Sequence, residues 1–316
     1  MSKVASYASS KTYEAWDDEF TRIAKTNKEI YAVHAAASWM IPTFTKSIPE
    51  RCIDVGIAEQ NLVSVAAGMA HMGKNVFAHT LATFATMRAC EQVRDDIIYN
   101  ENFAKVVASY AGLIAGPWAA THFGIEDVAI TRTFPGMTVI SPADTYEVKK
   151  LVPLAIDFEG PMYIRLEADE PIHDNDNFDF QIGKSMMIRE GDDLTLIAYG
   201  AMVGRSIKAA EILSKKGIEA QVINMHTIKP LDEAALIKAK RETGLIITVE
   251  EHQVVGGLGG AISEFLSEND PTFVKRIGFQ DVLPILGSYE DLLKYYKLDP
   301  NGIADQILDI YNQTFT

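Results

Sequence analysis

Apolar positions along this chain follow two alternating periods. Short apolar runs over 30–33, 52–55, 76–78, 106–108, 137–140 and 161–166 read as strands. Between them the spacing turns helical, over 13–26 and again from 58 to about 71, where Leu62, Val65, Ala66 and Met69 would share a buried face. Strands that alternate with helices predict a mostly parallel, doubly wound sheet. Asp144, just after Pro142, is placed to cap a helix with Glu147 three residues on.

A second alternation follows. Strands are expected over 194–198, 218–224, 245–250 and 273–277, with helices over 203–216, 232–242 and 259–268, the first of them ended by Gly217. Between the two units, 167–190 is rich in Asp and Asn and carries no strong period, so it reads as an exposed linker. The expected fold class is therefore α/β, with two doubly wound domains over 1–166 and 191–316. No internal repeat, low-complexity tract or metal-ligand cluster stands out.

One carboxylate has a telling position. Arg51-Cys52-Ile53-Asp54-Val55 is β-like, Gly56 permits a tight exit, and Glu59 then falls in the first helical turn at the carboxyl end of a strand. In open α/β sheets that edge is where ligands bind. An isolated acid there would merely complement the helix dipole.

Composition narrows the setting. The 316 residues are 47% hydrophobic and 23% charged, enough for two real cores. A net charge of −14 argues against nucleic acid or an anionic membrane surface as partner. Cys52 and Cys90 are the only cysteines and both lie in apolar contexts, so no disulfide framework is expected. The first residues are polar, and the longest apolar run, 106–120, is broken by Ser109, Gly112, Gly116 and Pro117. A cytoplasmic chain without a membrane span is the expectation.

The residues around Glu59 form a series of recognisable words. Gly56-Ile57-Ala58-Glu59-Gln60-Asn61 is followed by Val65-Ala66-Ala67-Gly68-Met69-Ala70, then Thr80-Leu81-Ala82-Thr83-Phe84-Ala85-Thr86 and Cys90-Glu91-Gln92-Val93-Arg94-Asp95-Asp96-Ile97. Thr121-His122-Phe123-Gly124-Ile125-Glu126-Asp127 and Met137-Thr138-Val139-Ile140-Ser141-Pro142-Ala143-Asp144 come next. Val222-Ile223-Asn224-Met225-His226-Thr227-Ile228-Lys229-Pro230 and Glu250-Glu251-His252-Gln253-Val254-Val255-Gly256-Gly257 complete the series. Together, and in this order, they resemble the pyrimidine-binding and C-terminal domains of transketolases, enzymes that use thiamine diphosphate. The resemblance covers almost the whole chain.

What is absent matters too. The family binds its diphosphate through Mg²⁺ in a separate domain marked by a Gly-Asp-Gly word and a later Asn, and this chain has no such pair. Gly191-Asp192-Asp193 is only superficially similar. The chain therefore looks like the C-terminal subunit of a split transketolase, expected to be inactive alone and to join a diphosphate-binding partner in an α2β2 heterotetramer.

The resemblance also implies roles. Glu59 matches the Glu that hydrogen-bonds the ring nitrogen N1′ of the cofactor's aminopyrimidine and drives its imino tautomer. Phe84 matches the aromatic that stacks on that ring, and Leu81 and Met87 stand where the family often has further aromatics. His122 matches a substrate-facing His, and Arg165, in Tyr163-Ile164-Arg165-Leu166, a family Arg that reaches a sugar phosphate. His79 and His252 have weaker claims, His252 as support for an interface. Departures gather on the substrate side: Trp118 replaces an Asp that contacts the donor's hydroxyls, Tyr110 a phosphate-binding His, and Ala36 an Asp that supports the cofactor pocket. Three readings stay open: transfer of a two-carbon unit from a ketose or related donor, a decarboxylating acyl or acyloin transfer from a 2-oxo acid such as pyruvate, and a catalytically silent partner subunit.

Overall fold

The computed structural model describes residues 11–168 and 170–315. Six strands come from the first half: β1 (Ile30–His34), β2 (Cys52–Asp54), β3 (Asn75–Leu81), β4 (Lys105–Ser109), β5 (Thr138–Ile140) and β6 (Met162–Arg165). The second half adds β7 (Met186–Arg189), β8 (Leu194–Ala198), β9 (Ala220–Asn224), β10 (Thr227–Lys229), β11 (Leu245–Gln253) and β12 (Phe273–Phe279). They form two sheets, ordered β10-β5-β6-β4-β3-β1-β2 and β12-β11-β8-β9-β7. Every pairing is parallel except β10 with β5 and β7 with β9. This is the expected α/β architecture of two doubly wound domains.

The helix Glu59–His71 shows how pattern becomes packing. Leu62, Val63, Ala66 and Ala67 are buried in one cluster with Val33 of β1 and Val76 and Ala78 of β3. Burying each of the larger side chains contributes about 1.5–3 kcal/mol. Val65 and Met69, expected on the same face, are only partly buried at its margin. Asp144 caps the helix Thr145–Asp157 by accepting from the N–H groups of Tyr146 (3.0 Å) and Glu147 (2.9 Å). Glu147 reaches back to accept from Ala143 N–H (2.7 Å).

Two features depart from the sequence reading. The stretch 167–190 is not all exposed: Phe180 is buried, and β7 runs antiparallel along β9 as an edge strand of the second sheet. Then β10, which follows β9 closely, leaves the second domain and pairs with β5, Thr227 opposite Ile140 and Lys229 opposite Val139. The contact continues where Ser141 N–H donates to the His226 carbonyl (2.8 Å).

Buried charges seal the junction. Arg165, at the end of β6, is fully buried and pairs with Asp127 (2.8 Å) and with Glu167. Its guanidinium also donates to the carbonyls of Gly124 (3.1 Å) and Glu251 (3.1 Å). Glu167 accepts from Ala201 N–H (2.8 Å) at the start of the helix Ala201–Ser214. His252 is buried there too, accepting from Ala129 N–H at 3.2 Å. Among the described residues no helix is long and apolar enough to cross a membrane.

Candidate active site

The sheet order places the carboxyl ends of β2, β1, β3 and β4 side by side. Each strand leads into a segment that carries a candidate residue, as expected for an open α/β sheet. β2 exits through Gly56, whose φ of +73° only glycine adopts freely, into the helix that starts at Glu59. Asp54, the last residue of β2, accepts from Gly56 N–H (2.9 Å) and from Ala36 N–H (2.9 Å) beyond β1, tying the two exits together. Those two N–H groups, Gly56's first, hold its carboxyl below the ordinary range. β3 leads to Phe84 and β4 to Tyr110.

After β3 the chain makes a widened, π-helical turn over Phe84–Arg88, closed by Ala89 N–H donating to the Phe84 carbonyl five residues back (3.1 Å). Such turns recur at functional sites. Here one full turn separates Phe84 from Arg88, so the Arg88 guanidinium lies over the Phe84 ring, 4.3 Å from its centroid. Arg88 Nη1 also donates to Glu59 Oε2 at 2.6 Å. Glu59 is buried, 3% exposed, whereas the Arg88 side chain is 45% exposed.

Aromatic rings continue from Phe84. Its ring meets His122 edge-on at 5.2 Å, His122 lies 5.3 Å from Trp118, and Trp118 stacks on Tyr110 at 5.5 Å. Tyr110 in turn touches Tyr13 (6.2 Å) and Trp39 (5.3 Å). The result is one unbroken wall leading away from Glu59. Thr121 Oγ1 sits 2.9 Å from His122 Nδ1 and orients the imidazole.

The second domain holds this wall in place. Gly112 and Gly124 exchange backbone hydrogen bonds (2.8 and 3.0 Å), closing the loop between them. Gly112 has φ of +69°, and a Cβ there would collide with the Glu251 carboxylate. Glu251, whose carboxyl burial pushes upward in pKa, accepts from Leu113 N–H and from Tyr289 Oη (2.7 Å). At Gly116 a Cβ would meet the Gly287 carbonyl at 2.9 Å. Strain gathers here as well: Ala36, Tyr110 and Ala119 have left-handed φ of 50°, 57° and 62°, a cost sustained where the surrounding structure over-determines the backbone.

Glu59, Phe84, His122, Trp118 and Tyr110 are thus brought together. Leu81, at the end of β3, is half-buried against an apolar cluster drawn from both domains, and Met87 is 49% exposed beside Arg88. Arg165 is a correction. Its guanidinium is enclosed by Asp127, Glu167 and two carbonyls, so it ties the domains together and is not offered to a sugar phosphate. His79 accepts from Trp16 Nε1 (3.1 Å) and is buried in the core. Sequence reasoning missed Arg88, Tyr13 and Trp39. The signal for Arg88 was its place four residues after Phe84.

Comparison with known proteins gives the family. Profiles of the transketolase pyrimidine binding domain and the transketolase C-terminal domain match residues 9–170 and 183–303. An apulose-4-phosphate transketolase subunit of Phocaeicola vulgatus is 40% identical over 300 residues, 94% of this chain and 96% of that protein. The 6-deoxy-6-sulfo-D-fructose transketolase subunit SqwH of Clostridium sp. (strain MSTE9) is 38% identical over 294 residues, covering 92% and 91%. Among solved structures, a split gene transketolase described as an inactive beta4 tetramer superposes with a TM-score of 0.86 at 37% identity, covering 95% of this chain and 98% of that one. The family implies dependence on thiamine diphosphate and, in its split form, a partner subunit. The chain belongs to the transketolase family, carries its pyrimidine-binding and C-terminal domains, and is built like the corresponding subunits of split transketolases.

Proposed function

We propose that this chain supplies the pyrimidine half of the site in a two-component, thiamine diphosphate-dependent enzyme that transfers a two-carbon unit from a ketose-type donor. The observation that carries this reading is Glu59, a buried carboxylate whose Oε2 accepts from the same Arg88 guanidinium that lies over the Phe84 ring. The residues fit the ring they would hold, because a flat nitrogen donor, the Arg88 guanidinium, already rests on Phe84 and bonds Glu59. Bound thiamine diphosphate supplies a nucleophilic carbon that can break and remake a carbon–carbon bond next to a carbonyl. Glu59 would hold and move a proton at the pyrimidine ring nitrogen. Phe84 would give the ring an apolar face and exclude water from it. With Thr121 on Nδ1, His122 would turn Nε2 to the donor's oxygens.

The diphosphate and its Mg²⁺ are assigned to a partner chain, in a symmetric α2β2 assembly. The exposure of Ile57 (80%), Met87 (49%) and Trp39 (38%) beside the site supports such a cover. The test is to assay this chain alone, and together with a partner bearing the diphosphate domain, against a panel of ketose phosphates and 2-oxo acids with thiamine diphosphate and Mg²⁺. Turnover is expected only from the mixture. Measurable turnover by the homogeneous chain alone would sink the proposal.

Trp118 favours a second reading of the donor. An indole offers one N–H and no acceptor, so it cannot receive hydrogen bonds from a ketose's hydroxyls as a carboxylate does. Each hydroxyl left unpaired costs roughly 1–3 kcal/mol, about a tenfold to hundredfold loss in binding. A donor with few hydroxyls, pyruvate being the simplest, fits that wall better than xylulose 5-phosphate. The names of the two relatives instead support an uncommon ketose. Trp118→Asp should shift kcat/KM back towards ketose phosphates. Efficient wild-type turnover of xylulose 5-phosphate with no shift in the variant would defeat the 2-oxo acid reading.

A further inference from the structure

A buried carboxylate that waits for a ligand has a problem. Without a partner, Glu59 at 3% exposure would carry an uncompensated charge out of water, which is costly. In this chain that partner is Arg88, bonded to Oε2 at 2.6 Å. The same guanidinium covers the Phe84 ring at 4.3 Å. A guanidinium and an aminopyrimidine share their chemistry here: both are flat, both offer N–H donors at the edge, and both stack on an aromatic face. They cannot occupy Glu59 Oε2 and the face of Phe84 at once.

We infer that Arg88 is an internal placeholder for the aminopyrimidine, seated on Glu59 and Phe84 until the ring displaces it. This rests on the reading of Glu59 given above and adds to it the state of the site before the cofactor enters. Three features suit Arg88 to the task. It ends the widened turn that begins at Phe84, which brings the two side chains onto one face. Its side chain is 45% exposed, so it can leave for water at little cost. Its attraction for Glu59 is electrostatic and therefore weakened by salt. Cofactor entry is then an exchange of a protein cation for a ligand ring, and ionic strength favours the exchange.

The experiment uses the full chain and the pyrimidine half of the cofactor, 4-amino-5-hydroxymethyl-2-methylpyrimidine, titrated calorimetrically between about 0.05 and 0.5 M salt. Wild type should bind weakly and gain affinity as salt rises. Arg88→Ala should bind about tenfold tighter, the size expected for releasing a half-exposed ion pair and its ring contact, and lose the salt dependence. Arg88→Lys, which keeps the charge without the flat stack, should fall between, and it stands in if the Ala variant melts early. Adding Glu59→Gln to Arg88→Ala should abolish the gain. If Arg88→Ala binds no tighter than wild type while Glu59→Gln still weakens binding, the placeholder is overturned and the reading of Glu59 survives. If Glu59→Gln leaves binding untouched, both fall. Absence of binding by Arg88→Ala at any concentration overturns the placeholder, and the turnover of the assembled Glu59→Gln enzyme then judges Glu59 separately.

Discussion

Glu59→Gln is expected to leave this chain folded and able to join its partner, yet to lower turnover of the assembled enzyme by about 10²–10⁴-fold, the contribution of a positioned proton-transfer group. The amide keeps the shape of the carboxyl and can still accept a hydrogen bond from Arg88, so packing is preserved. Only the proton is lost from the exchange. The ion pair that the substitution weakens has a half-exposed partner, so stability should change by less than about 1 kcal/mol. Melting curves and turnover with thiamine diphosphate in excess check both halves of the expectation. A variant that turns over like wild type would reduce Glu59 to an acid that complements the start of a helix.

Arg165→Met gives the opposite signature. The guanidinium neutralises Asp127 and Glu167 and satisfies two carbonyls while fully buried, so its removal strands buried charge. Breaking such a cluster from one side costs about 3–5 kcal/mol. A melting temperature lower by more than about 5 °C is expected. Were Arg165 a phosphate ligand instead, the variant would melt like wild type and show only a raised KM for phosphorylated substrates. The two measurements separate the roles without ambiguity.

Much of the scaffold could be read from the chain because its causes are local. Leu194–Ala198 forms the strand that its apolar run predicts, and Asp144 caps the helix that its spacing to Glu147 predicts. Glu59 was legible for a similar reason, since a strand, a glycine and a helical period fix its place. Arg165 was not. Tyr163-Ile164-Arg165-Leu166 looks the same whether its Arg reaches solvent or is covered, and the covering groups Asp127 and Glu251 lie 38 and 86 positions away. Arg88 was hidden by a different cause: its place four residues after Phe84 shows along the chain, but its bond to Glu59 spans 29 positions and is set by tertiary structure. The support that the Trp118 loop draws from Glu251 and Tyr289 is likewise a fact of tertiary structure, beyond the reach of any window along the chain.

The three residues of β10 make the second domain a part of the first domain's sheet. Were they taken away, β5 would become the outermost strand, with a bare row of N–H and C=O groups open to any passing extended chain. A cut within 167–190, where composition alone invites one, would therefore yield an adhesive fragment in place of a free-standing domain. The same holds for grafting. A C-terminal domain borrowed from a relative must bring a segment that fits against Val139 and Ile140 as Thr227–Lys229 does, or the recipient sheet stays unfinished at its rim.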